Sequence, residues 1–500
     1  MIAAAVLSAG LDRTEPGGVS PDRLEALIGV LAVAGLLFVS AVLLVVRWSQ
    51  GVEAAGRGRF KLVVLIGVVF LGMRLPWLFV PPMLEDDHFR YLWDGRVVLA
   101  GEDPYAVAPA EVLRGLNQER LSTREGALWD AAREPGARAT LERINHPEVR
   151  TIYPPVAELA FAVAQTITPY RPLGLRLLFM ACEAVAVWGL WVALRRLGRS
   201  PGWVTACAWN PLLAWSLIGS SHMDALILPC LAWALAAAAR GGVIGASGLL
   251  AVAAGVKLWP AMLAPLLWRS FWKTPVRTAF GALVFTAMTV VFVVPPIAAI
   301  DKPTGGEDAG LAAYAERWRF NDALFSLFYD HYEREIGDTD KLQPKVKSAS
   351  RRAVAVTMFG VLGACLLLPG VWPRPRKAAK GDAMAVRGVE SARQRAGLAV
   401  SRRWTIATAA LFMLSPTQLP WYAVWMAPML VVTPSVGLWV YAATLPLYYL
   451  WLHPDPPWGL TPEASPWVQS GVVWGVLAVE GFVLMAWAVW AWMRRERDEA

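Results

Sequence analysis

The chain reads as an all-α polytopic membrane protein of about 13 crossings, each needing roughly 20 apolar residues to cover the hydrocarbon layer. Three observations predict that class. Of 500 residues, 56% are apolar and 17% charged. The mean hydropathy is +0.43. The basic residues gather in short loops between long apolar runs, where topology signals sit. The net charge of +8 forms no continuous basic face, so nucleic acid is not an expected partner. Cys182, Cys207, Cys230 and Cys365 all lie in apolar segments without metal spacing and read as small core residues. The first ten residues are apolar, but they are short and follow no positive charge, so they make a poor secretory signal.

In order along the chain, residues 24 to 47 and 60 to 82 are long enough to span. Arg47, Arg57, Arg59 and Lys61 between them belong in the cytoplasm by the positive-inside rule. Residues 1–83 are therefore an N-terminal pair of spans with the following loop outside. Residues 84–170 form an extracytoplasmic segment with an acidic motif and interfacial helices. Its stretch from 84 to 152 has nine arginines and no lysine, and loops of that length escape the charge rule. The run from Pro154 to Thr168 is short, opens on two prolines and contains Glu158 and Gln165, so it reads as an interfacial helix.

Residues 171–299 are membrane helices. The segment 172 to 195 runs inward to Arg195, Arg196 and Arg199, 202 to 219 returns, and 222 to 239 comes back to Arg240. Val243 to Trp268 is interrupted at Lys257-Leu258-Trp259-Pro260. A hairpin with Lys257 near its outer tip keeps Arg269, Lys273 and Arg277 inside, and broken helices are tolerated where they line a cavity. A span at 277 to 298 leads to a second outer loop, 300–351. Residues 352–500 carry the C-terminal spans around a basic cytoplasmic loop, 373–403, with a second hairpin tip at Ser415 to Pro420. Spans at 436 to 452 and 468 to 493 bring the C-terminus inside. This topology gathers Asp86, Asp87, His222, Asp224, Lys257, Asn321, Asp322 and Gln418 on or just beneath the outer side.

Asp86-Asp87, closely followed by Arg90-Tyr91, is the sharpest signal. Adjacent carboxylates raise the proton affinity of one of them, which suits a general base, and an arginine beside it suits a phosphate held bidentately. The plainer reading is a solvated loop that stops the preceding helix. Asp224 opens an apolar helix, where a carboxylate also serves as a cap; His222 beside it favours a site. Lys257 would cost about 2.5 to 3.5 kcal/mol at the bilayer centre, so it snorkels or meets an anion, a lipid phosphate being the natural candidate. Tyr153-Pro154-Pro155 shapes the return of the outer loop. His146 reads as a solvated loop histidine, and Arg74 is expected to snorkel outward. Most of the 26 tryptophans read as interfacial belt. Trp421-Tyr422, next to Gln418, fits either that belt or a surface that stacks on a sugar.

At these residues the chain resembles the GT-C class of membrane glycosyltransferases, which use polyprenyl-phosphate-linked sugars. Within that class it is most similar to bacterial mannosyltransferase-like proteins. The resemblance is carried by Asp87-His88-Phe89-Arg90-Tyr91-Leu92-Trp93-Asp94-Gly95-Arg96 and then Gly101-Glu102-Asp103-Pro104-Tyr105. Weaker matches follow in order: His146-Pro147, Thr151 to Pro155, Asn210-Pro211, His222-x-Asp224, Lys257-x-x-Pro260, Ser415-Pro416 and Trp421-Tyr422. Asp103 stands where the family has Asn, and Ser221 where it has Gly.

The resemblance implies a GT-C-like bundle in a bacterial inner membrane and inverting transfer on the extracytoplasmic side, with Asp87 as the essential acid. The expected substrate-binding residues are Asp86, Arg90, Tyr91, Tyr153, His222, Asp224, Lys257, Gln418 and Tyr422. The donor is a polyprenyl-phosphate hexose, with mannose favoured, and the acceptor a glycan, lipid or protein. No cofactor is implied, and the spacing shows no clear ligand set for a metal. The competing class is a transporter or lipid flippase with Asp224 and Lys257 in a polar pathway. No internal repeat of the kind transporters use is found. A catalytically silent assembly partner is the third reading.

Overall fold

The computed structural model describes residues 1–11, 19–54, 58–117, 126–298, 323–339, 341–367 and 384–452, and the elements among them are all helices. Five are long and apolar enough to cross a membrane: Pro21–Gly51, Arg59–Phe79, Pro172–Arg196, Pro275–Pro295 and Gln343–Leu367. The expected count of about 13 full crossings is not reached among the described residues. Pro155–Ile167, Val243–Val256 and Pro420–Val432 are apolar helices too short to be counted with them, in segments expected as an interfacial helix and two broken hairpins, and the pair Pro201–Gly219 and Met223–Ala239 is bent by 117°. The expected span 468–493, Asn321, Asp322 and the C-terminus lie outside the described residues.

The prolines explain much of the punctuation. Pro21, Pro155, Pro172 and Pro275 each open a helix, where the missing N–H has no partner to lose. Pro260 does the reverse. The helix Val243–Val256 ends at Lys257, whose backbone is extended (φ −154°, ψ 138°), and resumes as Leu263–Ser270 after one 3-10 turn. Fourteen residues reach only about 21 Å, too short for the hydrocarbon layer, so Lys257 sits at an internal break.

The segment between residues 84 and 152, expected on the outer side, folds more than its composition implied. Helices Asp87–Leu99, Pro109–Asn117, Ala127–Ala132 and Ala137–Leu141 enclose a small core of their own that includes Trp93, Val97, Val112 and Leu141. The helix Asp87–Leu99 packs on Pro155–Ile167 so closely that a Cβ on Gly95 would lie 2.5 Å from the Phe161 carbonyl carbon. This contact also explains the two polar residues that made 155–167 look interfacial. Glu158 and Gln165 are buried. Glu158 accepts from the Thr151 hydroxyl at 2.7 Å, while Gln165 donates to the Leu92 carbonyl and accepts from the Tyr170 N–H at 2.9 Å.

Two further expectations change. Residues 384–403, expected in the basic cytoplasmic loop, belong to a helix that runs Met384–Leu414. Ala and Arg are strong helix formers, and Val400, Trp404 and Ala407 bury one face of it. Arg74 does not snorkel. It is fully buried, with Nε and Nη2 donating to Glu183 at 3.0 and 2.5 Å and Nη1 to the Ala208 carbonyl at 2.8 Å.

Candidate active site

Two turns far apart in sequence are laced together at one end of the bundle. Residues 80–86 lead into the helix Asp87–Leu99, and residues 219–224 join the bent pair. The Met83 N–H donates to the Gly219 carbonyl at 2.9 Å, and the Ser220 hydroxyl donates to the Met83 carbonyl at 2.9 Å. Arg176 fastens both turns. Its Nη1 donates to the carbonyls of Trp77 and Val80 at 2.6 Å each, its Nη2 to Gly219 at 2.7 Å, and its Nε to the Ser221 hydroxyl at 3.0 Å. Ser221 has φ +62°, a conformation that glycine adopts without strain, and Leu84 and His146 are also left-handed. Strained backbone of this kind persists where its surroundings over-determine it.

Between these turns lies a cavity of about 420 Å³. Of the residues singled out from sequence, Asp87, Arg90, Tyr91, Tyr153, Asp224, Lys257 and Tyr422 line it. Asp87 opens its helix, with its side chain 30% exposed. Across the cavity, Asp224 Oδ1 accepts from Lys257 Nζ at 2.8 Å and from the Trp425 indole N–H at 2.5 Å. The Lys257 ammonium also sits 4.2 Å from the Tyr422 ring centroid and 5.0 Å from that of Trp425. Within the protein, the anion that Lys257 meets is Asp224.

Arg90 differs from expectation in a related way. Its Nε reaches both Asp94 oxygens at 2.9 and 2.8 Å, and its Nη1 donates to the Val149 carbonyl at 2.7 Å. Nε and one Nη1 hydrogen are thus engaged within the protein. Its Nη2 is buried and has no hydrogen-bond partner among the described residues. Burial holds the Asp94 carboxyl above the usual carboxylate range, against the pull of Arg90. The Tyr91 ring stacks on Phe161 at 4.6 Å and meets Tyr153 edge-on at 5.3 Å. Burial first, then Tyr153, Asp87 and Asp224, push the Tyr91 phenol well up; burial and then Asp87 do the same for Tyr153. Both phenols keep their protons at neutral pH.

Three expected residues lie elsewhere. Asp86 accepts from the Asn145 amide at 3.3 Å and does not line the cavity. His222 is completely buried behind Asp87, with Nδ1 3.6 Å from Asp87 Oδ2. Gln418 is buried too; it donates to the Met413 carbonyl at 2.7 Å and accepts from the Tyr441 hydroxyl at 3.4 Å. Residues that sequence reasoning passed over include Asp94, Arg150, Arg176 and Trp425. Only Asp94 left a signal, since it stands four residues after Arg90 on one helix face.

Among the described residues, no group of three or more His, Cys, Asp or Glu side chains could hold a metal ion. No curated protein and no solved structure matches the chain. A family model does match, over residues 1–137 and 148–272, which takes in the helix of Asp87, the turn of Asp224 and the break at Lys257. With more than half its length matched, the chain belongs to the MptA_B family, that of the alpha-(1->6)-mannopyranosyltransferase N-terminal domain.

Proposed function

We propose that this mannosyltransferase-family chain is an inverting enzyme that moves mannose from a polyprenyl-phosphate donor to an acceptor hydroxyl on the extracytoplasmic side. The observation that carries the reading is the pairing, in one cavity wall, of a partly exposed aspartate with a buried guanidinium nitrogen that lacks a partner. An unsatisfied buried donor costs about 1–3 kcal/mol, and a phosphate oxygen would satisfy it. The apolar side of the same wall, with Leu258, Leu411 and Leu419, suits the lipid that carries the phosphate.

In this mechanism Asp87 takes the proton of the acceptor hydroxyl. The oxygen then forms a bond to the anomeric carbon, and the carbon–oxygen bond to phosphate breaks, its electron pair leaving on the phosphate. Polyprenyl phosphate is a stable anion, so the leaving group needs cationic stabilisation and no proton. Arg90 Nη2 supplies that stabilisation directly. Lys257, its charge balanced by Asp224, holds the opposite wall, and Tyr91 and Tyr153 offer neutral donors to sugar oxygens.

The test is transfer from radiolabelled polyprenyl-phosphate mannose to octyl α-mannoside in membranes without an ion gradient or potential. Wild-type transfer under those conditions separates the enzyme from a transporter. Asp87→Asn should abolish transfer at unchanged protein level, a loss of at least about a hundredfold for a missing general base. Normal transfer by that variant removes Asp87 from the role.

A further inference from the structure

Resting on that reading, we propose that His222 is a positioning residue that aims the Asp87 carboxylate and never touches substrate. The histidine contributes nothing to the cavity wall and is 0% exposed. Its ring lies flat on Trp421, with centroids 3.7 Å apart and planes 14° apart, and Trp421 does line the cavity. Stacking fixes the plane of the imidazole, and the edge bearing Nδ1 then faces Asp87 Oδ2 at 3.6 Å.

The backbone supports the same role. The residue before the histidine, Ser221, is held at φ +62° with its hydroxyl on Arg176. The carbonyl of Gly219, three residues before the histidine, takes two further hydrogen bonds, from Arg176 and from the Met83 N–H. Asp87, by contrast, is the first residue of its helix and partly exposed at the cavity. A rigid imidazole behind a carboxylate that faces the cavity is the arrangement that orients a base. A separation of 3.6 Å is longer than a formed hydrogen bond. It closes as the acceptor hydroxyl engages the other carboxylate oxygen, in the way catalytic contacts tighten on substrate binding.

Three substitutions separate this from packing. His222→Asn keeps an N–H at the Nδ1 position, His222→Gln moves it to the Nε2 position, and His222→Leu removes it at similar volume. With the full-length protein in lipid nanodiscs and the same donor and octyl α-mannoside, Leu and Gln should lower kcat by about tenfold to a hundredfold. The donor KM should change by no more than about twofold, and Asn should recover most of kcat. If Leu retains full kcat, if Asn is no better than Gln at equal amounts of folded protein, or if the loss falls on KM, the inference is overturned. Should His222→Leu fail to fold, the Asn and Gln pair still decides. Asp87→Asn measured alongside distinguishes the failures: an active Asp87→Asn overturns the base reading and this inference together, whereas an inactive Asp87→Asn beside a fully active His222→Leu overturns this inference alone.

Discussion

Arg74 with Glu183 and Lys257 with Asp224 are both cation–carboxylate pairs among apolar helices, yet they differ in what surrounds them. The first is sealed, with side chains 0% and 1% exposed, and Arg74 adds hydrogen bonds to the Phe70 and Ala208 carbonyls. The second has its ammonium 23% exposed, lodged over two aromatic rings in a cavity wall. The sealed pair joins two apolar helices and does not line the cavity. The open pair shapes a binding surface, so a charge at membrane depth marks a site only when a cavity reaches it.

The largest expected effect breaks the sealed pair. Glu183→Gln leaves a buried guanidinium uncompensated and should cost about 3–5 kcal/mol, whereas Arg74→Met with Glu183→Met should recover most of that loss. Thermal unfolding of the purified protein in detergent, followed by gel filtration, measures both. Lys257→Met removes a cation that is partly exposed but leaves Asp224, 1% exposed, with only the Trp425 donor; it should cost about 1–3 kcal/mol, less than Glu183→Gln, while transfer activity falls about tenfold. Equal destabilisation by Glu183→Gln and Lys257→Met would dissolve the comparison.

The smallest effect comes from a third pair, Arg96 with Glu134, whose side chains are 26% and 34% exposed. The hydrogen bond from Arg96, named first among the causes, holds the Glu134 carboxyl below its ordinary value near 4.5. A lowered pKa in the folded state means the contribution is complete above that value and is lost as pH falls through the lower, folded one. With both groups partly in water it is worth under about 1 kcal/mol. Glu134→Gln should remove this acid-dependent component from unfolding midpoints measured between neutral pH and pH 3.

The open pair was legible in the sequence and the sealed one was not, for a physical reason. Lys257 announces itself because Pro260 breaks the helix around it, and both Lys257 and Asp224 stand at helix ends where a polar residue is conspicuous. Glu183 sits in mid-helix, 109 positions from Arg74, and no periodicity links them. The acidic motif located the helix of Asp87 and much of the cavity wall. What it could not convey is that Arg90 is committed to Asp94 and Val149, since a main-chain carbonyl as partner leaves no trace in residue identity. The same limit hid Arg176. It also made residues 384–403 an expected loop, although a helix holds charges on one face while Val400 and Trp404 bury another.

Arg176 grips its neighbours almost wholly by their carbonyl oxygens, and a carbonyl is the one group every amino acid supplies. The hydrogen bonds at positions 77 and 80 therefore depend on the path of the chain rather than on the side chains there, although the Trp77 ring is itself fully buried. The weak point of the site is thus a single guanidinium that lies outside its walls.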